Sequence, residues 1–121
     1  MNYEDRITKE YVEGLIAGAG AKIVAGKYDG EATNLPYNGY QIKTIELGFR
    51  AKLLLITTGS SFNGATSAML IDDMNITNSS GDVLTQITDE GFTVGSAKFQ
   101  NDTIYPDLNN LYQHYHYVAI G

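Results

Sequence analysis

Apolar residues near the start of the chain recur at the spacing of a helix. Within residues 4–17 they fall three or four positions apart or side by side, and acidic residues lie between them. The apolar members of this stretch are Ile7, Tyr11, Val12, Leu15 and Ile16. Gly18-Ala19-Gly20 follows and would end such a helix. The pattern predicts a short N-terminal helix, with residues 1–20 as a connector.

Residues 21–121 show patterns typical of strands. Residues 41–49 alternate between two sides, whereas Leu53-Leu54-Leu55-Ile56 is a continuous apolar run, short enough for a strand covered on both faces. Gly, Asn, Asp and Ser separate these stretches, as in turns. The predicted strands are 22–28, 41–49, 53–56, 66–72, 83–88, 91–98 and 111–120. Seven short strands without intervening helices predict an all-β fold, an antiparallel β-sandwich.

Length, charge and cysteine content narrow the classes of function. The 121 residues fit one domain, and their formal net charge of -6 repels phosphate backbones and anionic lipid heads. We therefore expect no nucleic-acid partner and no membrane insertion. The absence of cysteine excludes disulfides, thiolate metal sites and a cysteine nucleophile. Residues 1–6 have neither the basic start nor the apolar run of a secretory signal, so we expect no signal peptide.

Three sequence blocks carry a resemblance to a known family. Gln41–Phe49 followed by Ala51–Ile56 resembles a block of phage tail and tail-fibre proteins, in which an extended strand ends in Leu-Gly-Phe before an apolar strand. The second block is Ile87–Val94, and the third is Leu108–Tyr112 leading into Tyr115–Gly121. Their order is similar to the layout of H-type lectin domains.

This resemblance implies a receptor-binding domain of a phage tail fibre with an H-type lectin-like sandwich. Such modules assemble as homotrimers where the tail meets the host surface. The implied partners are host cell-surface carbohydrate and other tail or fibre proteins. The implied location is the virion, after synthesis in the bacterial cytoplasm. The closing block has Tyr115 and Tyr117 where those lectins usually have tryptophan.

Loop tyrosines and short polar side chains are the candidate ligand-binding residues. A tyrosine ring offers a flat apolar face to a sugar and a hydroxyl for hydrogen bonding, and Asn and Asp can hold sugar hydroxyls. The candidates are Tyr105, Asp107, Asn109, Tyr37, Asn38 and Tyr40. In the alternative interpretation, tyrosines cap sheet edges while Asn and Asp serve turns.

His114 and His116 lie two positions apart and would project from the same side of a strand. On a threefold axis they could hold a transition metal. Two solvent-side histidines account for the sequence without any partner and are the favoured interpretation, so neither a metal nor another cofactor is predicted. Residues 72–78 have alternating oxygen ligands but lack the glycine and closing glutamate of a calcium loop, which favours a turn.

Catalytic motifs are missing from the sequence. It has neither a Gly-x-Ser-x-Gly elbow nor a glycine-rich phosphate loop with its lysine, and we expect no enzyme. Fourteen carboxylates leave a glycosidase pair open as one hypothesis. The first hypothesis is a trimeric module that recognises host glycan. The alternative is a purely structural trimeric fibre or virion component with no ligand.

Overall fold

The computed structural model describes residues 22–58 and 67–121. The predicted N-terminal helix and the connector of residues 1–20 lie outside the described residues. The strands are β1 (Ile23–Asp29), β2 (Tyr40–Glu46), β3 (Leu53–Thr58), β4 (Ala68–Ile71), β5 (Asn75–Thr77), β6 (Val83–Thr88), β7 (Gly91–Phe99), β8 (Asp102–Thr103) and β9 (His114–Ile120). No membrane-spanning helix occurs in the described part of the chain.

The strands form two antiparallel sheets. One has the order β1-β9-β3-β4, and the other has the order β2-β7-β6-β5 with β8 paired to β7. Every strand pair is antiparallel. This arrangement confirms the predicted all-β, antiparallel class in the part of the chain that the structure describes.

One hydrophobic core joins the two sheets. Leu54, Ile56 and Tyr115 from the first sheet belong to the same buried cluster as Phe92 and Val94 from the second. Their positions follow from alternation along each strand, which sends every second side chain to the same face. The result is a β-sandwich-like fold in which both sheets bury one face.

Three differences from the sequence prediction concern the turns. The last strand begins at His114 rather than residue 111, because the backbone N–H of Gln113 donates to the carbonyl of Asn110 at 3.0 Å and closes a turn. The stretch 72–78, interpreted as a turn, contains the short strand β5, and β8 lies between the predicted strands 91–98 and 111–120. Both missed strands are too short for a recognisable alternation.

Candidate functional site

Two stacked tyrosines fix the loop that precedes β9. Tyr28 and Tyr115 are register partners on β1 and β9, and both rings point into the core. The Tyr28 hydroxyl donates to the carbonyl of Leu108 at 2.8 Å, and the Tyr115 hydroxyl donates to that of Asp107 at 2.9 Å. The backbone N–H of Asn110 in turn donates to the Tyr115 hydroxyl at 3.0 Å. Residues 107–110 are therefore held against the sandwich by its own core residues.

Asn109 fastens the same loop to the segment after β1. Its side chain is completely buried, its Oδ1 accepts from the N–H of Glu31 at 2.9 Å, and its Nδ2 donates to the carbonyl of Gln41 at 3.3 Å. The chain passes so close at Gly30 that a Cβ there would lie 1.9 Å from the carbonyl oxygen of Asn110. This close approach explains why a glycine occupies position 30.

Asp107 places a carboxylate at the buried end of the loop. One carboxylate oxygen accepts a hydrogen bond from the Ser96 hydroxyl, and the other accepts from the Asn110 side-chain amide at 3.1 Å. Each oxygen keeps acceptor capacity beyond these bonds. Among the described residues, no buried side-chain nitrogen or oxygen lacks a hydrogen-bond partner. The orientation of the carboxylate is thus set by two hydrogen bonds within the protein.

The loop of residues 107–110 and the segment 32–35 after β1 line a surface cavity of about 230 Å³, which we call the loop cavity. Its charged lining residues are Asp107 and Lys98, and Asn110 adds an amide. Tyr112 forms part of the wall with 79% of its surface exposed, and its N–H donates to Asn110 Oδ1 at 2.9 Å. The remaining lining residues are Ala32, Thr33, Asn34, Leu35, Ser96, Ala97 and Thr103. The cavity thus combines an aromatic face, a carboxylate, an ammonium group and an amide.

The structure brings only some of the predicted site residues to this cavity. Asp107 lines it, whereas Asn109 is buried behind it with both polar side-chain atoms paired inside the protein. Tyr105 lies just before this loop, and the Tyr105–Pro106 peptide bond is cis. The Tyr105 side chain is exposed but does not line the cavity.

The candidates Tyr37, Asn38 and Tyr40 lie near the turn after β7, and Tyr40 is the first residue of β2. Tyr37 and Tyr40 are exposed, and Asn38 Oδ1 accepts from the N–H of Gln100 at 2.5 Å. None of the three lines the loop cavity. Lys98 and the segment 32–35 do, and within them only Asn34, a loop asparagine, carried a sequence signal for sugar binding. Asn110 and Tyr112 sit in the Leu108–Tyr112 block, so the sequence held a signal for those two.

Both histidines project from the outer face of the first sheet. His114 Nδ1 lies 2.6 Å from Asp29 Oδ1, and both side chains are largely exposed. The hydrogen bond with His114 is the main reason why the pKa of Asp29 falls below its usual value. Lys27 and His116 flank this pair. Within the described residues, no group of three or more His, Asp or Glu side chains is placed to hold a metal ion.

The same outer face continues as an apolar surface, which we call the apolar face. Two rows of apolar residues cross all four strands from β1 to β4. One row is Ile23, Ile120, Leu53 and Ile71, and the next is Ala25, Val118, Leu55 and Met69. Ile23, Met69 and Ile71 are each about half exposed. The outer face of the second sheet differs, because Thr44, Glu46 and Gln86 accompany its exposed Tyr40 and Ile42.

No protein-family model, curated protein or solved structure matches this chain. Any function must therefore be argued from the loop cavity and the apolar face themselves.

Proposed function

We propose that this chain is a non-catalytic binding module of a phage tail fibre or related surface appendage, and that it recognises host-surface glycan. The observation that carries the proposal is the loop cavity, which sets the exposed ring of Tyr112 beside the oriented polar groups of Asp107 and Asn110. Sugar recognition needs this combination, because a pyranose ring has an apolar C–H face and a rim of hydroxyls. The resemblance described above suggests the fibre setting and an H-type lectin-like sandwich.

The lining groups favour binding over bond cleavage. Ser96 and Asn110 each donate a hydrogen bond to one oxygen of Asp107 and so orient the carboxylate. Each oxygen has a second lone pair and can still accept a hydrogen bond from a sugar hydroxyl. Lys98 offsets the negative charge across the cavity. His114 and His116 project from the outer face of the other sheet and are not lining residues, so neither could serve as a general base to Ser96.

A single shallow cavity of this size would bind weakly, and several linked copies would raise the effective affinity. The proposed working form is a homotrimer attached to other tail or fibre proteins in the virion. Three linked sites can increase avidity by ~10²–10⁴ over one site. Weak single sites are then sufficient for attachment to a surface covered with identical glycans.

Binding of the purified full chain to an array of bacterial surface polysaccharides, and to the cells that bear them, tests the proposal. Tyr112→Ala should weaken binding about tenfold per site, since it removes an aromatic contact worth roughly 1.4 kcal/mol. Tyr37→Ala is the matched control, because Tyr37 is an exposed loop tyrosine outside the cavity. Loss with Tyr37→Ala or Tyr105→Ala, but not with Tyr112→Ala, would move the site to the loops predicted from sequence. A wild-type chain that binds no polysaccharide would contradict glycan recognition.

The apolar face supports a second candidate function. A chain that buries this face against its neighbours without reading any ligand would be a purely structural trimeric component of a fibre or virion. Tyr112→Ala separates the two functions. It should weaken cell attachment while assembly persists if the module recognises glycan, and it should change neither if the role is structural.

A further inference from the structure

Within residues 22–58 and 67–121, no further layer packs on the apolar face. A sheet normally hides an apolar face against another layer and leaves polar side chains toward solvent. Here one face of the sheet β1-β9-β3-β4 forms the core, and the opposite face carries eight apolar residues in two unbroken rows. A continuous exposed apolar surface of this kind marks an interaction site.

The sequence pattern of β3 also predicts that both faces of this strand are buried. Leu53-Leu54-Leu55-Ile56 is the pattern of a strand that is buried on both faces. In the described structure, Leu54 and Ile56 are fully buried in the core, whereas Leu53 and Leu55 on the apolar face are only partly covered. Burial of the second pair therefore requires a further layer.

We propose that the apolar face packs against the same face of other copies of this chain. This deepens the homotrimer part of the proposed function by naming its contact surface, and it does not depend on glycan binding. The face provides both recessed and projecting apolar groups. A hollow of about 210 Å³ lies between β3 and β9 beside Leu55 and Val118, while Met69 and Ile23 project at the two edges. A second copy thus offers side chains that fill the hollow of the first.

Charge favours a copy of the same chain at this face. The whole chain carries a formal net charge of -6, so two copies repel each other at most orientations. The outward positions of β1 and β9 include one lysine and one aspartate, Lys27 and Asp29, whose formal charges cancel. Electrostatic repulsion between two copies is therefore small when they meet at this face.

The size of the face fits the central part of an interface. Eight outward positions at the strand and residue spacings of a sheet cover roughly 270 Å² of flat surface. A stable interface takes about 800 Å² from each partner, with an apolar centre and a polar rim. The adjacent row of Lys27, His116 and Thr57 can supply part of that rim.

The oligomeric state of the full chain tests this inference. Native mass spectrometry and light scattering at micromolar concentration should give a homotrimer. Met69→Glu should weaken association by about 100-fold or more, because it would bury an unpaired carboxylate. Met74→Glu is a closely matched control: Met69 and Met74 are both 52% exposed, and Met74 lies in the turn after β4, outside the apolar face. Circular dichroism should give the same fold for both variants.

A labelling experiment tests whether the apolar face is buried in the assembly, without adding a charge to that face. The chain has no cysteine, so Met69→Cys and Met74→Cys each introduce a single thiol. In the assembled protein, a maleimide should react at position 69 at least tenfold more slowly than at position 74, and dilution to monomer should remove the difference.

Several outcomes would overturn the inference. They are a monomeric wild type, equal loss of assembly with both glutamate variants, and protection of position 69 in a monomer, which would mean that the chain covers its own face. A monomer that binds glycan would leave glycan recognition standing, whereas a trimer that binds none would leave this interface standing.

Discussion

Tyr28 and Tyr115 stack with their ring centroids 4.9 Å apart and their planes only 11° from parallel. They occupy paired positions on β1 and β9, and each hydroxyl donates to a backbone carbonyl of the loop that forms one side of the loop cavity. The core of the sandwich and the wall of the candidate site are thus connected by two side chains. Changes to these rings are expected to alter both stability and binding.

Tyr115→Phe should lower the free energy of unfolding by about 1–3 kcal/mol. The variant keeps the ring but leaves the carbonyl of Asp107 and the N–H of Asn110 without their partner. Tyr117→Phe is the control, because Tyr117 lies on the same strand and the same side, and its change should stay within about 0.5 kcal/mol. Urea denaturation of the two variants measures the difference. Equal effects would show that the Tyr115 hydroxyl does not fix the loop.

Alkaline pH should unfold the protein through the same pair. Burial raises the pKa of Tyr115 to about 12 and also raises the pKa of Tyr28, and the nearby Asp107 adds to both shifts. An unfolded tyrosine ionises near pH 10, so stability is fully present below about pH 10 and falls as the pH rises toward 12. Ultraviolet absorbance should show these two tyrosines ionising only together with loss of the near-ultraviolet circular dichroism signal. Ionisation of every tyrosine near pH 10 with the fold intact would contradict this.

Asn109→Ala should destabilise the fold and weaken glycan binding without removing a cavity-lining side chain. The change leaves the N–H of Glu31 and the carbonyl of Gln41 without their side-chain partner, at a cost of about 1–3 kcal/mol. Thermal unfolding measures the first effect, and titration with a bound polysaccharide measures the second. Asn101→Ala, in the exposed turn before β8, should change neither. A stable Asn109→Ala protein with lost binding would instead assign Asn109 a direct ligand contact.

Carboxyl NMR should find the pKa of Asp29 below its usual value. The hydrogen bond with His114 is the main cause, so His114→Ala should raise the Asp29 pKa toward that of an exposed aspartate. Because the folded pKa is depressed, the stabilising interaction is present above the unfolded pKa of about 3.9 and is lost as the pH falls below it. An Asp29 titration that is the same in both proteins would show that the pair does not form in solution.

Most of the strands could be predicted from the sequence alone. Alternation over residues 41–49 and the turn residues between stretches are local properties of an extended backbone, so they indicate β-structure before any partner strand is known. The same patterns correctly gave the all-β, antiparallel class. Local patterning failed at β5 and β8, which are three and two residues long and owe their form to the strands beside them.

Which residues come together depends on the tertiary structure. Tyr28 meets Tyr115, and Ser96 meets Asp107, because strand order places distant segments side by side, and no local signal encodes that order. Asn109 shows the same limit: as a loop asparagine it suited a sugar contact, but the fold buries it to satisfy backbone groups of another segment. The apolar run of β3 predicted two covered faces, and the residues that the structure describes cover one. The local backbone therefore fixes secondary structure, whereas the site and the apolar face depend on long-range pairing.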